Sequence, residues 1–108
     1  MNWNILENLT QLEQIKQESF EKKMLVFKHS TRCIVSKMAL KQFEKDFNLD
    51  NSITPYFLDL IANRHISNQI AEDYSVEHQS PQIILIENGK AIFNASHSEI
   101  DALELANL

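Results

Sequence analysis

Apolar positions along the chain fall into two kinds of block. Met24-Leu25-Val26-Phe27 and Ile83-Ile84-Leu85-Ile86 are continuous runs of strand length, the pattern of strands covered on both faces. After the first run, the polar Lys28-His29-Ser30-Thr31 reads as a turn that ends a buried parallel strand. Other apolar residues recur at helical spacing. Val35, Met38, Ala39, Phe43 and Phe47 step by three, one, four and four, which predicts one face of a helix from Ile34 to Phe47, with Cys33 at its first turn. Ile66, Ile70 and Tyr74 are four apart and predict a helix over His65 to Tyr74, with Asn63 as a possible cap. Thr10 with Glu13 has capping-box spacing, and Leu12, Ile15 and Ser19 extend a helix from Gln11 to Ser19. Ile53 to Leu60 reads as a strand that tolerates Pro55 near its start or on an edge, and Trp3 to Ile5 as a short strand. Asn88-Gly89 between Gln82 to Glu87 and Ala91 to Asn94 is a strong hairpin signal. Ser96 with Glu99 repeats the capping-box spacing and predicts a closing helix through Asn107 that buries Ile100 and Leu103.

The resulting order, β-α-β-α-β-α-β-β-α, belongs to the α/β class: a central mixed sheet flanked by helices, in the arrangement of a thioredoxin-like fold. With no linker composition and no repeat, one domain over residues 1–108 is expected. In open α/β sheets ligands gather at the carboxyl ends of central strands, and the strand-to-helix junction that carries Cys33 is such a place.

Composition narrows the chemistry. Ten Lys and Arg against fifteen Asp and Glu give a net charge of -5, the wrong sign for neutralising many phosphates, so nucleic acid is not an expected partner. No apolar run approaches the roughly 20 residues of a membrane span, and the N-terminal residues lack the basic start and apolar core of a signal peptide. The cytoplasm is the expected compartment. One cysteine forbids an internal disulfide and every multi-cysteine zinc pattern. No histidine-carboxylate spacing suggests a metal site, and His65 and His97 read as surface residues.

The lone thiol has chemistry-bearing surroundings. Unpaired N–H groups and the partial positive charge of a helix start favour a thiolate, and Arg32 is an adjacent cation. Ser36 stands three residues on, where a dithiol oxidoreductase carries its resolving cysteine. A hydroxyl can hydrogen-bond a thiolate or cap the helix but cannot resolve a mixed disulfide, so resolution would need another molecule. The bland alternative is a buried, inert cysteine. Ser80-Pro81 precedes the strand from Gln82, and in thioredoxin-like folds a cis proline there lies beside the reactive cysteine, leaving the preceding backbone free to pair with a thiol substrate. Pro81 is therefore expected to be cis, with Ser80 offering that backbone.

The run Phe27-Lys28-His29-Ser30-Thr31, then Cys33 and Ser36, Asn63-Arg64 with Ile66-Ser67, and His78-Gln79-Ser80-Pro81-Gln82 resembles the monothiol bacilliredoxins of the thioredoxin superfamily, a likeness spanning Trp3 to Ile100. The resemblance implies thiol-disulfide exchange with bacillithiol, a low-molecular-weight thiol, and no tightly bound cofactor. Cys33 would attack the mixed disulfide between bacillithiol and a protein, freeing the protein. A second bacillithiol or a partner disulfide reductase would regenerate the thiol. Thr31, Arg32, Ser80 and Pro81 would meet the substrate. Arg64, Ser67, His78 and Gln79 would help hold the acidic malate end or the sugar, or else merely shape the surface and the loop before Pro81. Ile34 departs from the pattern, since a proline commonly follows the first cysteine and pre-sets the helix.

Three rival readings remain. A cysteine peroxidase or redox sensor also needs one thiol, but its usual threonine and upstream proline are missing. An iron-sulfur monothiol glutaredoxin would carry Cys-Gly-Phe-Ser, which Ile34-Val35 does not match. A non-catalytic thioredoxin-like module would use the Pro81 groove to bind extended peptides.

Overall fold

A computed structural model describes residues 1–47 and 52–108. Five strands and three α-helices alternate as β1 (Asn4–Ile5), α1 (Thr10–Glu18), β2 (Lys23–His29), α2 (Ile34–Asp46), β3 (Ile53–Asp59), α3 (Arg64–Tyr74), β4 (Gln82–Glu87) and β5 (Lys90–Ser96). The sheet order is β1-β3-β2-β4-β5. β1, β3 and β2 run parallel, and β4 pairs antiparallel with both β2 and β5. Side chains alternate across the sheet, so β2 splits between two cores. Met24 and Val26 pack with Leu12, Ile15, Ile66 and Ile70 of α1 and α3. Leu25 and Phe27 pack with Phe43 of α2 on the other face.

Local chemistry explains where elements start and stop. Asn88 and Gly89 have φ of 53° and 75°, the left-handed backbone a two-residue hairpin turn demands, which accounts for the sharp β4–β5 reversal. At α1 the reciprocal cap is Asn8 with Gln11, not Thr10 with Glu13. Asn8 Oδ1 accepts from the Gln11 N–H at 3.1 Å, and Gln11 Oε1 accepts from the Asn8 N–H at 3.0 Å. The same three-residue spacing occurs two positions earlier, and the helix starts a residue sooner.

Three further expectations are corrected. β2 does not end at Phe27, because Lys28 and His29 continue the strand and are both buried. α2 buries a different stripe: Ser36 and Phe43 are buried and Ala39, Leu40 and Phe47 partly so, while Ile34 (73% exposed), Val35 and Met38 (68% exposed) face outward. The Phe43 ring fixes this rotation, lying 5.3 Å from Phe27, 6.0 Å from Trp3 and 5.2 Å from Phe47. The closing α-helix is instead two 3-10 turns, His97–Glu99 and Ala102–Asn107. β5 runs to Ser96, which pairs with Gln82 and makes no side-chain cap, and Ile100 and Asp101 are extended, so no helix can run through. Ala102 and Leu105, three apart, are buried, Ile100 only partly, and Leu103 is 63% exposed.

Candidate active site at the ends of the central strands

The carboxyl ends of β2 and β3 and the start of β4 meet at one end of the sheet's central strands. Lys28 pairs with Gln82 as the last pair of the β2–β4 ladder, so Pro81, the residue before Gln82, lies next to the end of β2. His29 pairs with Asp59 in the parallel β2–β3 ladder. The loop Ser30–Cys33 therefore leaves the sheet between β3 and the Ser80–Pro81 segment. The Ser80–Pro81 bond is cis, as expected from the sequence.

Cys33 is the N-cap of α2, with extended backbone (φ -110°, ψ 121°) and a carbonyl that accepts the Lys37 N–H at 3.0 Å. Its side chain is half-buried. The first-turn N–H groups of α2 lie next to it, without a capping side chain. Thr31 and Arg32, on the loop before it, are exposed.

Ser36, one turn into α2, is fully buried. Its Oγ accepts the Ser30 N–H at 3.0 Å and lies 2.7 Å from His29 Nδ1. Ser36 thus ties the loop ahead of the thiol to the end of β2. Its inward hydrogen bonds also explain why Val35 is turned to solvent. His29 packs on Phe57 with ring centroids 5.5 Å apart. Burial, which disfavours the imidazolium, is the largest influence and lowers its pKa, with Asp59 opposing and Lys37 reinforcing the shift.

A second polar cluster lies on the opposite face of β2. Lys28 is fully buried; its Nζ donates to the Ser67 carbonyl at 3.4 Å and lies 3.4 Å from His78 Nδ1. Ser67 Oγ lies 3.0 Å from the same Nδ1. Burial lowers the Lys28 pKa from 10.5 to about 8. His78 is lowered by burial first, and then by the positive charges of Lys28 and Arg64. Gln82, also buried, uses its amide to hold the loop: Nε2 donates to the Glu77 carbonyl at 3.0 Å, and Oε1 accepts from the Gln79 N–H at 3.4 Å.

The sequence-derived candidates thus separate. Cys33, Thr31 and Arg32 lie on one loop, Ser80 and Pro81 immediately precede β4, and Arg64 is exposed at the start of α3 near His78. Gln79 is held through its backbone by Gln82. Ser67 is buried against His78 and is neither a surface position nor free to meet a ligand. Lys28, His29 and Gln82 carry much of the framework. The signal for two of them was a polar residue abutting an unbroken apolar run. Among the described residues no group of three or more His, Cys, Asp or Glu is placed to hold a metal ion, and no helix is long and apolar enough to cross a membrane.

Comparison with known proteins matches this geometry. A solved structure described as a candidate oxidoreductase with a thioredoxin fold superposes with a TM-score of 0.81 at 34% identity, covering 95% of this chain and 89% of that one. Thioredoxins of Malassezia sympodialis (TM-score 0.72, 19% identity, 98% of this chain and 86% of that one) and Fasciola hepatica (TM-score 0.71, 18% identity, 96% and 93%) share the fold. These likenesses make the fold thioredoxin-like and support a thiol redox role. Residues 4–105 match the family model for the monothiol bacilliredoxin BrxC, and the chain belongs to that family.

Proposed function

We propose that the protein removes bacillithiol from mixed disulfides on other proteins, with Cys33 as the nucleophile. The Cys33 thiolate attacks the bacillithiol sulfur of the mixed disulfide. A Cys33–bacillithiol disulfide forms, the protein–bacillithiol bond breaks, and the protein sulfur leaves as thiolate. A second bacillithiol thiolate then attacks the adduct, giving bacillithiol disulfide and free Cys33; a partner disulfide reductase could supply the same two electrons.

One observation carries the monothiol reading. A half-buried, accessible cysteine caps α2, while the position of a resolving thiol holds a fully buried serine committed to His29 and Ser30. A second intramolecular attack has no group to make it. The outward Ile34, Val35 and Met38 add apolar surface beside the thiol, of the kind protein partners cover. In this reading Thr31, Arg32, Ser80 and Pro81 line the approach of the protein disulfide. Arg64, His78 and Gln79 face the low-molecular-weight thiol, whose carboxylates suit an arginine fork. Ser36 holds the loop that aims Cys33. Thiol chemistry needs no bound cofactor, and a cytoplasmic setting suits a reduced thiol.

The test is to mix the reduced protein, and a Cys33→Ser copy, with a bacillithiolated model protein and follow both intact masses. The expected result is loss of bacillithiol from the substrate with a matching gain on wild type, and neither change with Cys33→Ser. Rapid sulfenic acid formation with peroxide and no exchange would replace this reading with a peroxidase or redox sensor.

A further inference from the structure

His78 sits in the loop before Pro81 with its Nδ1 edge turned into the protein and the ring half-buried. Two groups converge on Nδ1: the Lys28 ammonium from β2 and the Ser67 hydroxyl from α3. An ammonium has three hydrogens and no lone pair, so it can only donate. Lys28 is also committed to the Ser67 carbonyl, which orients it. With its pKa near 8, Lys28 remains mostly charged at neutral pH. Nδ1 must then be the acceptor, and a neutral imidazole that accepts at Nδ1 carries its proton on Nε2.

We infer that Lys28 is a positioning residue that fixes the His78 tautomer, so that His78 presents an Nε2–H donor at the edge of the loop preceding Pro81. The charged groups facing the ring, Lys28 from β2 and Arg64 from α3, both oppose its protonation, as does burial. These influences all favour the neutral, donating form of His78. Beside Arg64 it suits an acceptor-rich ligand group such as a carboxylate or a sugar hydroxyl. This role for the donor rests on the proposed exchange with an acidic low-molecular-weight thiol, whereas the tautomer rests on the geometry alone. An apolar residue would fill the same place without a desolvation penalty, so the buried ammonium bears on the polar groups it faces, the Ser67 carbonyl and the His78 ring.

Two measurements test it. The first is a long-range proton–nitrogen spectrum of the 15N-labelled wild-type protein at neutral pH. Nδ1 of His78 is expected in the unprotonated range and Nε2 in the protonated range. A protonated Nδ1 overturns the inference without needing any variant or any activity. The second is Lys28→Met, which keeps the length and removes the charge. Its His78 nitrogens are expected to move toward mixed tautomers, and its apparent KM for a bacillithiolated protein to rise about fivefold, the worth of roughly one hydrogen bond, with kcat nearly unchanged. Unmoved His78 nitrogens in Lys28→Met overturn the role of Lys28. Shifted nitrogens with an unchanged KM overturn the role of the donor in binding. Failure of wild type itself to exchange removes the ligand assignment, and the wild-type spectrum still judges the tautomer.

Discussion

Replacing Lys28 by methionine should stabilise the fold at neutral pH and erase a distinctive alkaline gain in stability. Lys28 is fully buried, and its pKa falls from 10.5 to about 8 because burial disfavours the ammonium. At about 1.4 kcal/mol per unit, that shift corresponds to about 3 kcal/mol of penalty in the folded state. Between these two values the unfolded chain binds the proton and the folded chain does not. Stability therefore rises with pH across that interval, and the full penalty applies below about pH 8. Methionine removes the penalty but loses two long hydrogen bonds, to the Ser67 carbonyl and to His78, worth about 1 kcal/mol each. The net gain at pH 7 is on the order of 1 kcal/mol. Urea unfolding followed by the fluorescence of Trp3, the only tryptophan, at pH 7, 8, 9 and 10 measures both effects. Wild type should close the gap and overtake the variant as pH approaches 10. Tyr56 and Tyr74, whose pKa values are raised mainly by burial, push the other way above pH 10 but equally in both proteins. Parallel pH profiles for the two proteins would refute the reasoning.

Other consequences can be measured alongside it. His29 and His78 both have lowered pKa values, so the unfolded chain takes up protons first as pH falls; Tm should drop as pH falls below the ordinary histidine value of 6.5, and less steeply in His78→Gln. Phe43→Ala removes the ring that joins Trp3, Phe27 and Phe47 and should cost about 3–5 kcal/mol in denaturant unfolding. Gly89→Ala places a Cβ 3.1 Å from the Phe20 ring at a φ of +75°, and should cost about 1 kcal/mol by the same assay.

Much of this molecule was legible because local and global signals agree in it. The apolar run from Gln82 to Glu87 and the Asn88-Gly89 turn marked β4 and its hairpin with their final boundaries at the β4 end. The helical period from Val35 to Phe47 puts Cys33 at the start of α2, and the apolar run from Ile83 puts Pro81 just ahead of β4. Tertiary effects hid the rest. Lys28 and His29 read as a polar turn because their partners, Ser67, His78 and Ser36, lie 7 to 50 residues away in sequence. Val35 and Met38 fit a helical period equally well on either side, and the inward pull on Ser36 and the Phe43 ring stack decided the side. Ser96 and Glu99 offered a cap, but sheet pairing claimed Ser96 first. Asn8 and Gln11 had the spacing that Thr10 and Glu13 shared, and spacing alone could not choose between them.

The most direct test of the central claim compares two substrates that differ only in the attached thiol. One model protein carries bacillithiol and the other glutathione on the same cysteine, and the rate of thiol release by the reduced chain is measured for each, with Cys33→Ser as the blank. Faster release of bacillithiol, appearing as an adduct on Cys33, is the expected result. Equal rates for both thiols, or release that persists in Cys33→Ser, would contradict the account.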